Sequence, residues 1–325
     1  MAVKVAVVGV GGIGADHLQH LYDSEKADLV AICDIVQANA DKAAEKYGVK
    51  AYTNVDEMLE KEPLDAIFLC IPPFAHGDME EKVAAKGINL FVEKPVGLDL
   101  DTVRRKQQVL EKSGIIVGTG YCLRYLDTVA QAREYLKDKK VAMVRAHRFG
   151  GLVPVPWWSD ITKSGGQLVE QTTHNLDLIR YIAGDIVKVS ADMALRVMDD
   201  VANISIPDVY SVNFVLESGA IGHLDTSFVD QPDGRSSLEV IGRGWRVSID
   251  WSVLTIMENG KTMTIKSTTN FYKAQDEAFL EAIITGDRSL ILAPYEEGIK
   301  TLAVTLAAHQ SADSGESVRI GSQAG

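Results

Sequence analysis

VKVAVVGVGGIG, residues 3–14, runs from an apolar strand pattern directly into three glycines spaced G-x-G-x-x-G: Gly9, Gly11 and Gly14. A helical pattern follows over residues 13–24. LVAICD (29–34) then reads as a second strand that closes on Asp34, 20 positions after Gly14. Such a glycine triplet gains meaning only in a strand–loop–helix–strand frame, and that frame is present. Gly9 then makes the tight turn, Gly11 lets the backbone approach a pyrophosphate, and Gly14 lets the helix pack on the strand. Gly12 and Ile13 complete the phosphate-facing loop, at a helix N-terminus whose N–H groups suit phosphate oxygens. Asp34 can accept hydrogen bonds from the adenosine ribose hydroxyls. Ile35 and Val36 follow it, with no nearby arginine for a 2′-phosphate, so NAD is expected, with NADP as the alternative. The rival reading is a glycine-rich turn with no ligand.

The alternation continues outward from this loop. Apolar runs at 65–71, 88–93 and 115–121 are separated by helical patterns near 76–86 and 101–113. Strands apolar on both faces, alternating with helices, predict a doubly wound parallel sheet, a Rossmann-type α/β domain over residues 1–121. Beyond it the character changes. Helical patterns at 126–137 and 167–182 flank a strand (141–150) and a loop with paired tryptophans. Residues 187–266 alternate as strands, with turn signals at 217–219, 232–234, 242–244 and 258–260. Helical patterns at 274–285 and 296–311 close the chain. Residues 122–325 are therefore expected to form an α+β domain on a large, mostly antiparallel sheet.

Composition narrows the function. The 325 residues carry 33 basic and 45 acidic side chains, a net charge of −12 with a pI near 5.1. That balance argues against nucleic acid or an anionic membrane as principal partner, since both need a basic footprint. Cys33, Cys70 and Cys122 lie far apart without a CxxC pair, so they read as small buried hydrophobes rather than a disulfide framework or zinc site. No apolar run approaches a membrane span and no signal peptide is apparent, so a cytoplasmic location is expected.

Four further stretches supply candidate chemistry. IPPFAH (71–76) ends a core strand where ligands of open α/β sheets bind, which makes Pro72 and His76 cofactor candidates. A plain helix-capping role is the alternative for His76. FVEKPV (91–96) also ends a strand, and Pro95 biases Lys94 to an extended backbone that fixes where its side chain points. Glu93 and Lys94 thus border the cofactor, with Lys94 able to hydrogen-bond a reacting hydroxyl. YCLRY (121–125) offers Tyr121 and Arg124 to a hydroxylated ligand, an interdomain salt bridge being the alternative for the arginine. GGQLVEQTTHNLDL (165–178) places Glu170, His174 and Asp177 at i, i+4 and i+7, one face of a continuous helix. His174 suits acid–base work, and Glu170 can orient it. Glu170 and His174 could also begin a metal site, but no third ligand stands at motif spacing, and no metal is expected. Trp157 and Trp158 are candidate sugar platforms, with packing between domains as the alternative, and Asn175 is a further substrate contact.

Together these stretches resemble the glucose-fructose oxidoreductase / inositol dehydrogenase / MocA superfamily over essentially the whole chain. GVGGIG, Asp34, IPPFAH, EKP at 93–95, residues 121–125 and the glycine-glycine–acid–histidine helix carry the resemblance. It implies NAD(P)-dependent oxidation of a secondary hydroxyl of a sugar, cyclitol or related polyol, with Lys94 at the reacting hydroxyl and His174 as its acid/base. It also implies an open-faced second-domain sheet through which a homodimer or homotetramer forms. Glu170 stands where many sugar and inositol members have aspartate. Two rivals accompany this reading: a glycoside-cleaving enzyme that uses NAD transiently, and a dinucleotide-sensing regulator. A regulator would need neither EKP nor the helix histidine.

Overall fold

The computed structural model describes residues 2–230 and 234–321. Within them the chain forms two compact units, residues 2–125 with 270–299, and residues 126–230 and 234–269 with 300–321. The sequence reading placed a single break after residue 121. In the structure residues 270–299 belong with the N-terminal unit, a return that no composition change announces.

The first unit is built on six parallel strands: β1 (Val3–Val8), β2 (Ala27–Cys33), β3 (Lys50–Tyr52), β4 (Ala66–Leu69), β5 (Asn89–Val92) and β6 (Val117–Thr119). Their order is β3-β2-β1-β4-β5-β6, a doubly wound sheet whose switch point lies between β1 and β4. Every side chain of β4 is buried, and all but one of β1, as helices on both faces require. Phe68 on β4 stacks on Phe91 of β5 at 4.9 Å, and Phe279 of the returning helix Phe271–Thr285 packs edge-on against both. All three cysteines are buried and free. Burial pushes the Cys33 thiol up to about 11, Asp34 adding to it, and lifts Cys70 and Cys122 as well, so they behave as packing atoms.

The second unit holds nine strands: β7 (Val141–Phe149), β8 (Ile186–Ala194), β9 (Val209–Leu216), β10 (Ile221–Ser227), β11 (Arg235–Gly242), β12 (Trp245–Asp250), β13 (Val253–Glu258), β14 (Lys261–Lys266) and β15 (Val318–Arg319). The order is β14-β13-β12-β11-β7-β10-β9-β8-β15, antiparallel throughout except for the β7–β10 pair. Turn signals at 217–219, 242–244 and 258–260 fall between paired strands, with Gly219, Gly244 and Gly260 at positive φ. Two residues of the 232–234 signal lie outside the described residues. Register puts Val144 opposite Val240 and Ala146 opposite Leu238, all buried beneath helix Thr173–Ala183, which packs on β7 and β11. On the other face Val215, Ile221, Met143 and Ile241 share a row across four strands.

The expected helix over 167–182 is two helices, Gln167–Glu170 and Thr173–Ala183, separated at Gln171 and Thr172. Thr172 turns its hydroxyl to Thr226 of β10 at 2.7 Å, and Gln171 turns to Arg148 of β7 at 2.8 Å. The break therefore follows from side chains that reach the sheet instead of continuing the helix.

A buried ionic triad stiffens the loop after β4. His76 Nδ1 lies 2.9 Å from Glu80, whose other oxygen accepts from Lys106 Nζ at 2.7 Å. Burial alone would raise the Glu80 pKa, but His76 and Lys106 outweigh it and hold the carboxyl below its usual range. Removing one partner of a buried pair leaves the other charge uncompensated. Lys106→Met should therefore cost about 3–5 kcal/mol of stability in a urea titration; a loss below ~1 kcal/mol would show that the pair is effectively solvated.

Candidate functional site

The glycine loop assigns its own roles. A side chain at Gly9, which has φ +86°, would meet the Cys70 carbonyl oxygen at 2.4 Å, and one at Gly14 would meet the Gly9 oxygen at 2.0 Å. Those two glycines are required by packing between β1, β4 and helix Ile13–Tyr22. Gly11 is not: a Cβ there would meet nothing within 4 Å. Open space above the middle glycine is what a pyrophosphate needs, and no side chain caps the helix beginning at Ile13. Asp34 follows the end of β2 with its carboxylate fixed by two backbone donors, Val10 N at 3.1 Å and Val36 N at 2.9 Å. Each oxygen keeps a lone pair for ribose. Beside it Ile35 is 88% exposed and presents an apolar side chain but no cation. The loop, the open helix end and Asp34 fit a dinucleotide.

Beneath the EKP segment lies a feature absent from the sequence reading. His17, in the helix that starts at the glycine loop, is wholly buried between two carboxylates. Its Nδ1 lies 2.8 Å from Asp276 Oδ1 and its Nε2 3.1 Å from Glu93 Oε1. A carboxylate only accepts, so both ring nitrogens must donate and the ring is an imidazolium. Burial pushes its pKa down, yet Asp276 and Glu93 outweigh that and raise it from 6.5 to about 10. The second Glu93 oxygen accepts from the Lys94 amide at 3.1 Å, and Gly120 leaves it room, since a Cβ there would sit 2.5 Å from the carboxylate. Glu93 is thus spent on holding the strand end, and the Lys94–Pro95 peptide is cis. Lys94 itself is half-buried.

Other first-unit candidates are turned inward. His76 is buried against Glu80, behind half-buried Pro72. Tyr121 is buried. Arg124 donates to the Leu292 carbonyl at 2.7 Å and to Glu297 at 3.0 Å, both within the first unit. The guanidinium is a brace for the returning segment.

In the second unit Glu170 is buried and accepts two bonds on one oxygen, from Trp158 Nε1 at 3.1 Å and Gln171 Nε2 at 2.5 Å. Arg148 holds that glutamine in turn. His174 is half-buried at the start of its helix, and Asn175 donates to Ser236 Oγ at 3.1 Å. The expected single face of Glu170, His174 and Asp177 is not formed. The break at 171–172 puts Glu170 in a separate helix from His174 and Asp177, and Asp177 is buried against Thr301, 3.1 Å distant. Trp158 also needs correction as a sugar platform. It is 0% exposed, edge-on to Phe228 at 5.1 Å, and presents no surface to a ligand. It positions Glu170 instead. Among the described residues no group of three His, Cys, Asp or Glu is placed to hold a metal ion, and no helix is long and apolar enough to cross a membrane.

Two family models match this chain, one described as an oxidoreductase family with an NAD-binding Rossmann fold over residues 3–121, the other as the GFO/IDH/MocA C-terminal domain over residues 129–248. The chain belongs to the Gfo/Idh/MocA oxidoreductase family. Curated relatives include a myo-inositol 2-dehydrogenase of Thermotoga maritima, 26% identical over 98% of both chains. A scyllo-inositol 2-dehydrogenase (NAD(+)) of Bacillus subtilis is 28% identical over 74% of this chain and 71% of its own. Among solved structures, levoglucosan dehydrogenase in complex with NADH superposes with a TM-score of 0.88 at 15% identity, covering 99% of this chain and 100% of that one.

As a Gfo/Idh/MocA member the protein is an NAD-binding oxidoreductase, and its glycine loop and Asp34 are the residues that would hold the cofactor. His17 had one legible signal, a histidine three positions after Gly14 on a helix that must pack against the sheet. Asp276 had none. The clamp makes a pH-dependent prediction. Because the folded pKa of His17 lies above 6.5, its stabilisation is complete below that pH and drains away as pH rises through about 10. Both ring N–H signals should persist in nitrogen-15 spectra at about pH 9, while thermal stability should already decline as pH rises above 6.5 and level off past about 10. A His17 ring that deprotonates near neutrality would disprove the clamp.

Proposed function

We propose that this protein reversibly oxidises a secondary hydroxyl of a ring polyol, a sugar or cyclitol, with NAD. Lys94 and His174 act on the same hydroxyl. The observation that carries this reading is the Glu93 carboxylate, which fixes the Lys94 amide at the end of β5, where doubly wound sheets bind their ligands. The inositol dehydrogenase relatives support the substrate class.

The Lys94 ammonium donates to the hydroxyl oxygen and stabilises the charge that builds on it as its proton leaves. His174 takes that proton and returns it in the reverse direction, help of a kind that contributes about 10²–10⁴-fold. Glu170, anchored by Trp158 and Gln171, fixes the turn from which the His174 helix starts. NAD, when bound, supplies the hydride acceptor at its nicotinamide ring. Asp34 and the loop from Gly9 to Gly14 hold its adenosine and pyrophosphate.

Lys94→Ala and His174→Ala should each lower the rate of NADH formation by ~10²-fold or more, with NADH affinity within about threefold of wild type. The assay follows absorbance at 340 nm across sugars, inositols, anhydrosugars and glycosides, with products analysed in the same tubes. Near-normal turnover in either variant would remove that residue from the mechanism. Glycoside cleavage without net NADH would replace simple oxidation with a transient-oxidation route. The apolar row of Val215, Ile221, Met143 and Ile241 further supports a homodimer or homotetramer formed through this sheet face. Sedimentation velocity at micromolar concentration should show that assembly, and a monomer would remove it.

A further inference from the structure

Trp251-Ser252 joins β12 to β13, and Trp251 takes φ +52° there. That left-handed backbone suits glycine and asparagine and is an outlier for a bulky side chain. The other two described non-glycine residues with positive φ are both asparagines, Asn203 and Asn259. Strain of this sort persists where the surroundings enforce it, and it collects at functional sites. The strained residue does not serve the core either, because its indole is 53% exposed.

Its surroundings place that indole on the helix-bearing side of the sheet. Along β12 the inward residues are Trp245, Val247 and Ile249; the left-handed turn at Trp251 ends that alternation, and it is the contact with Arg148 that puts the indole on this side. Its amide donates to the Ser236 carbonyl at 3.2 Å, while Ser236 Oγ accepts from Asn175 at 3.1 Å. The Arg148 guanidinium, which also holds Gln171, lies 5.6 Å from the centre of the indole ring. Trp251 is therefore tied through Ser236 to the residue after His174, and through Arg148 to the residue after Glu170. Asn175 adds a buried acceptor, Oδ1, with no partner among the described residues.

We infer that Trp251 is the platform for the substrate ring, stacking on the C–H face of a cyclic polyol while Asn175 and Arg148 meet its hydroxyl edge. An indole offers a broad apolar face and a sugar or cyclitol an apolar C–H face, so the two match. The adjacent donors and acceptor supply the polar contacts that fix ring orientation. The inference rests on the polyol-oxidising reading and assigns to Trp251 the stacking role that buried Trp158 does not fill.

Trp251→Gly removes the ring at a backbone position glycine adopts without strain, so the variant should melt no lower than wild type. Trp251→Tyr keeps an aromatic face. Two readouts separate the inference from the reading beneath it: steady-state kinetics on the polyol panel, and saturation-transfer NMR of the same polyols in the presence of NADH. The expected result is a polyol whose KM rises about tenfold or more in Trp251→Gly and is largely restored in Trp251→Tyr. A polyol oxidised with unchanged KM in Trp251→Gly overturns the platform and leaves the oxidoreductase reading intact. Saturation reaching ring C–H protons in wild type but not in Trp251→Gly, with nothing oxidised, overturns the reaction and upholds the platform. Neither turnover nor saturation with any ring polyol overturns both.

Discussion

One buried positive charge holds the first unit's working edge in place. The His17 imidazolium sits between Glu93 and Asp276, joining the first helix of the fold, the end of β5 and a helix more than 250 residues away in sequence. Two carboxylates brought together in a low dielectric would repel, and each would cost several kcal/mol to bury unpaired (~ by Born reasoning). The imidazolium converts that repulsion into two charge-assisted hydrogen bonds. His20 extends the cluster to the surface through the second oxygen of Asp276, at 3.1 Å. The same Glu93 then fixes the Lys94 backbone, so a buried charge decides where the lysine proposed to act on the hydroxyl begins.

Much of this was legible in the sequence, for identifiable reasons. The first sheet declared itself because parallel strands are apolar on both faces and its glycine loop has fixed spacing. The second sheet was legible as alternation and turns, yet its strand order, and the one parallel pair inside it, depend on pairings between distant segments. The helix over 167–182 failed at Gln171 and Thr172, where polar side chains prefer sheet partners to the helix ladder. Trp157 and Trp158 are adjacent, and sequence cannot tell which of two neighbours turns inward. Trp251 gave no signal at all, since a positive φ at tryptophan contradicts local preference and appears only in coordinates.

Glu170 anchors a layer of polar side chains around the start of the His174 helix. Its carboxylate reaches the Trp158 indole and the Gln171 amide together, and both bonds fall on one oxygen. Arg148 lies one hydrogen bond further on and also faces the Trp251 ring. Glutamate, glutamine, arginine and two tryptophans thus form one connected layer around the start of the His174 helix. Each member orients the next, which keeps the helix end that carries His174, the proposed acid/base, from fraying.

The return of residues 270–299 to the first unit sets an order on synthesis. N-terminal domains commonly fold as they leave the ribosome. Here the emerging first 125 residues lack Asp276, which completes the imidazolium, and Phe279, which covers Phe68 and Phe91. The nascent dinucleotide fold must wait, with an apolar face uncovered, while the whole nine-stranded sheet except its last edge strand is translated. In this chain the part that begins first is among the last to be finished.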